Sequence, residues 1–291
     1  MLEFDVTTST YTLSTTGPTG HTLSVKLPKN VTTFREFMIV DIYTGDSDPV
    51  YWAVARARHE WGHDWATRFS VAMLTYYHPG VAARAASIKG EDFWKHLQDI
   101  YDTTPRGSAR RHFRGYAGIY ALKDMIQFSP NPEEFFLKMP NDYKGIKKVC
   151  DKQLKQFGSY FQLKICDFMD CCLTIPIQSY EGLAENLPTE PAKSLEVMYP
   201  HLKPAAAFQL LCAQVQGWGI QAAPLFIRPA GPAEVETSLC GWYTTKYRNN
   251  WFGADIVDKR EALRGYGDKA EEMIEFMPKP LPRRAFTTYL L

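Results

Sequence analysis

Residues 156–170 read Q-F-G-S-Y-F-Q-L-K-I-C-D-F-M-D, and this stretch predicts a turn followed at once by a helix. Gly158 lets the chain turn without Cβ strain, and a helix that begins just after it exposes backbone N–H groups that suit an anion. Apolar residues recur at positions 161, 165, 168 and 172, which is the spacing of one buried helical stripe. The stretch therefore predicts a helical fold with a hairpin that can hold a phosphate group.

An adjacent face of the same helix carries Tyr160, Lys164 and Asp167. Because Lys164 and Asp167 lie three residues apart, they can pair with each other on the surface, or both can point at a ligand. An exposed pair of this kind stabilises a helix by only about 0.2–0.5 kcal/mol. The helix alone favours the surface pair, and the choice depends on what the rest of the chain contains.

Size and composition restrict the class of protein. The chain has 291 residues, enough for one large domain or for a main domain with a smaller one. Its net charge of +1 excludes a wholly basic nucleic-acid coat but allows a local basic face. The six cysteines show no C-x-x-C spacing, and no apolar run reaches the roughly 18 residues that span a membrane. We expect a soluble cytoplasmic protein with reduced thiols and no membrane partner.

Helical signals dominate after a short β segment, so the expected fold class is mainly α. Residues 1–31 alternate apolar side chains with Thr and Ser, which predicts a β arm or hairpin. Residues 32–291 predict a helical domain, and a proline-rich joint near 176–204 would divide it if it forms two lobes. Residues 218–250 read as irregular because Pro and Gly interrupt them.

Local signals place individual helices within this domain. Thr33 and Glu36 form a capping-box pattern that predicts a helix start. Helices are further predicted over 132–139, 143–157 and 160–173 from their apolar spacing.

The segment His59-Glu60-Trp61-Gly62-His63 matches the zinc-peptidase pattern H-E-x-x-H. On a continuous helix both imidazoles would share one face for zinc, and Glu60 would act as the general base. Gly62 opposes this reading, because glycine weakens a helix by about 1 kcal/mol relative to alanine. We keep a zinc peptidase as a remote alternative and interpret the segment as a joint between two helices, with Gly62 ending the first.

Residues 106–115 read R-G-S-A-R-R-H-F-R-G and form the strongest local basic patch. Arginine forks bind phosphate oxygens in bidentate fashion, and neighbouring glycines let backbone amides approach the same anion. Arg114 precedes a predicted helix start, where the helix dipole also favours an anion. A solvated basic turn is the alternative.

Residues 249–267 read N-N-W-F-G-A-D-I-V-D-K-R-E-A-L-R-G-Y-G and form the richest polar cluster. Asp255 and Lys259, four residues apart, predict a helix salt bridge, yet Trp251 beside such charges is also typical of a surface that stacks bases and grips phosphate. Upstream, Glu236 is a candidate base or an acceptor for an ammonium group.

Several blocks, in this order, resemble the bacteriophage amino acid:DNA transferases, also called α-glutamyl/putrescinyl-thymine pyrophosphorylases. The similarity covers about residues 33–280. It implies a core related to the helix-hairpin-helix DNA glycosylases, with 157–160 as the hairpin, a small N-terminal β segment and an irregular C-terminal region. The blocks are D-P-V-Y-W-A at 48–53, D-W-A-T-R-F at 64–69, R-R-H-F-R-G at 110–115, F-G-S-Y-F-Q-L-K-I-C-D at 157–167, E-T-S-L-C-G-W at 236–242, N-W-F-G-A-D at 250–255 and D-K-R-E-A-L-R-G-Y-G at 258–267.

The resemblance implies that an amino acid or polyamine displaces diphosphate from 5-(diphosphomethyl)uracil in double-stranded phage DNA, in the cytoplasm of an infected host. It strictly implies no cofactor, although Mg²⁺ is compatible with a diphosphate substrate, and the sequence does not name the nucleophile. Electrostatic stabilisation of the leaving group and removal of a proton from the incoming ammonium are the two chemical needs. Diphosphate is assigned to Arg110, Arg111, Arg114 and Lys164, and either diphosphate or DNA to Gly158, Lys259, Arg260 and Arg264. The base is assigned first to Asp167, then to Asp255 and Glu236. A flipped target base would stack on Tyr160 or Trp251.

Two other functions remain as alternatives. A glycosylase-like base-excision enzyme would use the same hairpin and a carboxylate, and would release free base. A non-catalytic helical DNA-binding protein would not need the carboxylates. Beside the arginine patch and the 249–267 cluster, we interpret Lys164 and Asp167 as site residues.

Overall fold

The computed structural model describes residues 2–5, 8–16, 20, 22–90, 92–103, 116–225 and 227–289. These residues belong to two compact units. The first unit consists of Met1–Trp52, Gly182–Val257 and Pro278–Leu291, and the second of Ala53–Glu181 and Asp258–Met277. The chain passes between the units four times: inside the helices α2 (Pro49–Trp61) and α12 (Ala254–Leu263), after Glu181 and after Met277.

The first unit begins with a small antiparallel sheet. Its strands are β1 (Leu2–Asp5), β2 (Thr10–Thr16) and β3 (Thr22–Pro28), in that order across the sheet. Leu13 and Leu27 lie on its buried face, whereas Thr and Ser side chains alternate with them. A short parallel pair, β4 (Asn30–Val31) with β5 (Thr287–Thr288), joins the segment before the first helix to the C-terminal part of the described chain. The expected N-terminal β segment is therefore confirmed, as a three-stranded sheet.

Helix α1 (Phe34–Thr44) of the first unit begins and ends where its sequence directs. The Thr33 hydroxyl accepts from the Glu36 amide at 3.2 Å, and the Glu36 carboxylate accepts from the Thr33 amide at 3.0 Å, which confirms the capping box. Gly45 ends the helix with φ 73°, a conformation that favours glycine. A Cβ at Gly45 would lie 2.6 Å from the Pro278 ring, so glycine is also required by packing.

The same unit contains a helix where the sequence predicted an irregular segment. Residues 232–247 of the interrupted stretch form α11 (Pro232–Tyr247), and the prediction for this part is wrong. Pro232 occupies the first helical position, where a missing N–H has no helical partner to lose, so this proline starts the helix rather than breaking one. Helices α9 (Thr189–Met198) and α10 (Pro204–Gln216) pack with α11.

The described part of the second unit is mainly helical, and α3 (His63–Tyr76) has every residue from Trp65 to Tyr76 buried. Arg68, inside α3, donates to the Ala86 carbonyl at 2.9 Å and pairs with Glu133, so its charge is satisfied. The segment predicted as a helix over 132–139 forms two short 3₁₀ turns instead. The other helices are α4 (Pro79–Ala86), α5 (Asp92–Thr103), α6 (Tyr116–Phe128), α7 (Tyr143–Gln153), α8 (Ser159–Asp167) and α13 (Asp268–Phe276).

The mainly helical fold class is thus confirmed. Among the described residues, no helix has both the length and the apolar character needed to cross a membrane.

Candidate functional site

A tight turn, residues 154–158, joins α7 to α8 in the second unit. The Phe157 amide donates to the Leu154 carbonyl at 2.9 Å, and the Gln162 side chain donates back to the Phe157 carbonyl at 2.9 Å. These bonds fix the turn at the start of α8. The predicted turn before α8 is therefore present, although the helices are shorter than 143–157 and 160–173, and residues Phe168–Cys172 continue as a π-helical turn.

Gly158 is the N-cap of α8, but not for the reason expected. Its φ of −70° and ψ of −176° are open to any residue, and a Cβ there would meet no heavy atom within 4 Å. The interpretation that glycine relieves Cβ strain is wrong. Because glycine has no side chain, the N-cap residue accepts no hydrogen bond from the first backbone N–H groups of α8.

Lys164 and Asp167, in α8, form an ion pair that is buried. The Lys164 ammonium lies 2.9 Å from an Asp167 carboxylate oxygen, and the two side chains are only 3% and 4% exposed. The predicted pairing of Lys164 with Asp167 is therefore confirmed, but the pair is buried and not on the surface. Removing two charges from water costs several kcal/mol per ion, and burial of such a pair is poor evidence of a stabilising role. The pair places a cation and a carboxylate side by side where water hardly reaches them.

A pair of tyrosines links α8 to the end of α3. The Tyr160 hydroxyl donates to the Tyr77 hydroxyl at 2.8 Å, and the rings meet edge to face with centroids 5.8 Å apart. The Lys164 ammonium lies 5.4 Å from the Tyr160 centroid, and the Lys259 ammonium lies 4.7 Å from the Tyr77 centroid. Both distances fall within the roughly 6 Å range of a cation–π contact. The structure thus brings together three predicted site residues of α8 and one of α12.

Tyr77 holds an unusual backbone conformation. It caps α3 with φ 56° and ψ 39°, the left-handed region, which costs a residue with a bulky side chain about 1–3 kcal/mol. Such strain persists only where the surrounding structure imposes it. Here the conformation accompanies the contacts that the Tyr77 ring makes with Tyr160 and Lys259.

His78 follows Tyr77 and is held in its neutral form. Its Nδ1 accepts from the Val81 amide at 3.3 Å and so caps α4, which leaves the ring proton on Nε2. Burial, and then the positive charge of Lys259, lower the pKa of His78 from 6.5 to about 4. Tyr266 lies against the His78 ring, with centroids 5.0 Å apart.

Arg260 on α12 and Arg264, which directly follows α12, were also predicted as phosphate ligands, and both have protein partners. Arg260 donates to the Ile274 carbonyl at 2.6 Å, near the end of α13, where a cation also complements the helix dipole. Arg264 pairs with Glu261 at 3.3 Å, and both side chains are well exposed. The Lys259 ammonium lies over the Tyr77 ring. The predicted ligands Arg110, Arg111 and Arg114 lie outside the described residues.

The remaining predicted carboxylates, Asp255 and Glu236, belong to the first unit. Glu236 is buried on α11, and the Thr237 hydroxyl approaches its carboxylate at 3.4 Å. Asp255 lies in the first turn of α12. Trp251, predicted to stack on a base, is half-buried, and a Cβ at Gly253 would lie 3.0 Å from its ring.

Two buried carboxylates of the first unit were not predicted as site residues. Asp46 accepts from the amides of Asp255 and Ile256 at 3.1 and 3.3 Å, and so caps α12. Burial, and then the charge of Asp255, raise the pKa of Asp46 from 3.8 to about 7. Asp41 accepts from the Ser238 hydroxyl at 3.0 Å, and burial, followed by the charge of Asp46, raises its pKa well above the ordinary value.

The H-E-x-x-H segment is divided between two helices. His59 and Glu60 lie near the end of α2, Gly62 breaks the chain direction with φ 93°, and His63 begins α3. The two imidazoles therefore do not share the face of one continuous helix, which the zinc reading required. In the described ranges, no three His, Cys, Asp or Glu side chains are grouped to hold a metal ion.

The sequence carries only a weak signal for Asp41 and Tyr77, which were not predicted as site residues. Asp41 stands in the apolar run M-I-V-D-I of 38–42, where a charge on a buried face invites attention. Tyr77 precedes His78-Pro79, a pattern that favours the end of a helix, but nothing local indicates that its ring contacts Tyr160.

Comparison with known proteins identifies the class and then the family. The profile of the amino acid:DNA transferase family matches residues 30–250, which is most of the chain. The protein is therefore a transferase that modifies DNA, and it belongs to the amino acid:DNA transferase family.

Two relatives carry more specific descriptions. A putrescinyltransferase of Delftia phage PhiW-14 is 31% identical over 256 residues, covering 84% of this chain and 82% of that protein. A glycinyltransferase of Pseudomonas phage PaMx11 is 25% identical over 275 residues, covering 81% of this chain and 92% of that protein.

Proposed function

We propose that this protein attaches an amino acid or a polyamine to 5-(diphosphomethyl)uracil in double-stranded DNA and releases diphosphate. The family and the two phage relatives support transfer of an amine to DNA. The observation that carries the proposal is the buried Lys164–Asp167 pair, because it provides a cation for the leaving group and a carboxylate for the amine within one turn of α8.

The reaction needs one bond to form and one to break. The amine nitrogen forms a C–N bond with the methylene carbon on the base, and the C–O bond to diphosphate breaks with its electron pair leaving on oxygen. The nitrogen must lose a proton, since only a free amine attacks, and that proton passes to a carboxylate. Asp167 is the first candidate for this base, followed by Asp255 and Glu236.

The leaving group must be neutralised as its charge develops. A lysine does this without a proton transfer, and its effect is larger in a buried site, where water screens charges less. Lys164 meets both conditions, since it is charged through its pairing with Asp167 and is buried. Arg110, Arg111 and Arg114 are proposed to contribute to the same task.

The DNA backbone is proposed to contact the α7–α8 hairpin. Gly158 gives the N-terminus of α8 no side-chain cap, and the positive end of the helix dipole would attract a phosphate oxygen there. Arg264 is exposed and directly follows α12, where it would add a further contact to the DNA backbone. The target base would be flipped out of the duplex and stacked on Trp251 or on Tyr160.

The direct test is mass analysis of nucleosides after reaction. Duplex DNA containing 5-(diphosphomethyl)uracil is incubated with the protein and a mixture of amino acids and putrescine, and diphosphate is measured in parallel. An amine-substituted nucleoside formed in step with diphosphate supports the proposal and identifies the amine. Release of a free base instead would establish the glycosylase alternative, and DNA binding without any product would establish the non-catalytic one.

A further inference from the structure

Helix α7 of the second unit has one apolar face and one basic face. Its apolar face packs with α8 and buries Tyr143, Ile146 and Cys150. On the opposite face, Lys148 and Lys152 are exposed and lie four residues apart, which makes them neighbours on the helix surface. Lys155 is exposed in the turn that follows the helix. Lys148, Lys152 and Lys155 are called the lysine row below.

The lysine row has no counter-charge in contact with it. Among the described residues, no carboxylate oxygen lies within 4.0 Å of its three ammonium groups. The carboxylates of this part of the unit have other partners. Glu181 pairs with Lys144 at 2.7 Å, Asp151 pairs with Lys147 at 2.6 Å, and Asp124 accepts from the Gln156 amide at 3.3 Å.

The lysine row is not explained by the stability of α7. Like charges four residues apart on a helix repel each other and destabilise it. Lys152 lies in the last turn, where a cation complements the helix dipole, but this effect is confined to the end of a helix. Lys148 lies in the middle of α7 and gains nothing from it. A polyanion that lay along this face would remove the repulsion.

We propose that the lysine row binds the phosphate backbone of duplex DNA and extends the contact at the turn before α8. This inference rests on the proposed function. Lys155 belongs to that turn, and Gly158 leads from it into α8, so the row and the N-terminus of α8 are continuous along the chain. Both attract an anion, one by charge and the other by its dipole.

The spacing and the chemistry of the row suit phosphates. Four residues of an α-helix advance about 6 Å, and duplex DNA carries one negative charge per about 1.7 Å of its axis, so the row faces several phosphates. Lysine is a point charge on a flexible stem, which suits a phosphate oxygen better than the fixed pattern of a base edge. The row should therefore bind DNA without regard to sequence. DNA is the polyanion chosen because the chain belongs to a family that modifies it.

The test measures the affinity of the full-length protein for plain duplex DNA, in two unrelated sequences, by fluorescence anisotropy at several salt concentrations. A single Lys148→Gln, Lys152→Gln or Lys155→Gln should bind about three- to tenfold more weakly at about 0.1 M salt. The slope of log affinity against log salt should become shallower by about 0.9 for each lysine removed. The triple variant should lose about 2–3 units of slope, equally for both sequences.

A matched control is available in the same unit. Lys95 is exposed on α5 and has no ion pair among the described residues. Lys95→Gln removes the same charge from a different helix, so affinity should stay within about twofold of wild type and the salt slope should not change. Lys148→Arg keeps the charge and should bind DNA as wild type does. Thermal unfolding of each variant checks that it is folded.

Four results would overturn the assignment. A triple variant with wild-type affinity and salt slope would leave the row as a solvated surface. An equal loss in Lys95→Gln would show an effect of net charge alone. A lower unfolding temperature with an unchanged salt slope would assign the row to the stability of α7. Anionic lipid vesicles that bind wild type but not the triple variant, with DNA affinity unchanged, would assign the row to a lipid surface.

Failure of this inference differs from failure of the proposed function. If wild-type protein forms the amine-substituted nucleoside while the row variants bind plain DNA normally, only the lysine row is wrong. If wild-type protein forms no such product, the proposed function is wrong, and the salt slopes of the variants still decide whether the row contacts DNA.

Discussion

The buried Lys164–Asp167 pair allows the catalytic and the structural roles of α8 to be separated. Asp167→Asn leaves the Lys164 ammonium buried without its counter-charge, at a side-chain exposure of only 3%. Breaking a buried pair in this way costs about 3–5 kcal/mol, a large part of the roughly 5–15 kcal/mol that stabilises a typical domain. A loss of activity in Asp167→Asn alone would therefore not distinguish a missing base from a partly unfolded protein.

The double variant Lys164→Met with Asp167→Asn resolves this ambiguity. Removing both charges is often nearly neutral for stability, because no unpaired charge remains buried. We expect urea unfolding to show about 3–5 kcal/mol lost in each single variant and most of it regained in the double variant. Transfer to diphosphomethyluracil DNA per folded molecule should nevertheless remain at least about 100-fold below wild type in Asp167→Asn and in the double variant, as expected for loss of a general base.

The Arg68–Glu133 pair supplies a control from the same unit. Arg68 is as buried as Lys164, with 3% of its side chain exposed, whereas Glu133 is 32% exposed. Glu133→Gln should lower stability, by less than the single variants of α8 because water reaches its carboxylate, and should leave transfer per folded molecule unchanged. A double variant of α8 that regained both stability and transfer would refute the catalytic reading of Asp167 and leave a purely structural pair.

Three further predictions concern other parts of the chain. The folded-state pKa of Asp46 lies near 7 and that of the unfolded chain near 3.8, so the wild-type protein should lose stability as the pH rises through that window. Asp46→Asn keeps a side-chain oxygen that can cap α12 but removes the titrating carboxyl, so it should lose this pH dependence. At pH 8 it should be more stable than wild type by up to about 4 kcal/mol. Urea unfolding at pH 5 and pH 8 measures both effects, and equal pH profiles for the two proteins would contradict the prediction. Gly158→Asp should give α8 a good N-cap and therefore equal or higher stability. It should nevertheless bind DNA more weakly than Gly158→Ser, because its carboxylate would occupy the site proposed for a phosphate. Unchanged DNA affinity in filter binding would argue against a DNA contact at the turn before α8. Arg114→Ala should weaken binding to diphosphorylated DNA by about tenfold or more, as for one lost charge-assisted contact, and binding to plain DNA much less. An equal loss of affinity for both DNAs would reassign Arg114 to a contact with the DNA backbone.

Helix starts and breaks that depend on short-range signals were predicted correctly. The capping box of Thr33 and Glu36, and the break at Gly62, involve atoms within four residues of each other and formed as predicted. The error at α11 has the same local origin: Pro232 was read as a breaker, although proline at the first helical position favours a start. Local chemistry fixes where helices begin and end because capping bonds close over a few residues.

The family, too, was accessible from the sequence, since its blocks occur in order along the chain. The mainly helical class and the N-terminal β segment were also predicted correctly. The three candidate bases, with Asp167 first, remain a prediction, because the role of a carboxylate depends on its surroundings and not on its residue type alone.

Burial and long-range contact were decided only by the tertiary structure. Lys164 and Asp167 were three residues apart in the sequence whether they were exposed or buried, and only packing removed their charges from water. Asp46 meets the start of α12 more than 200 residues later, and Tyr77 meets Tyr160 after 83 residues. The sequence by itself determined where most helices lie and which family the chain belongs to, because these depend on neighbours along the chain. The tertiary structure decided which charges are removed from water and which rings lie against them, because desolvation depends on what folds over a group.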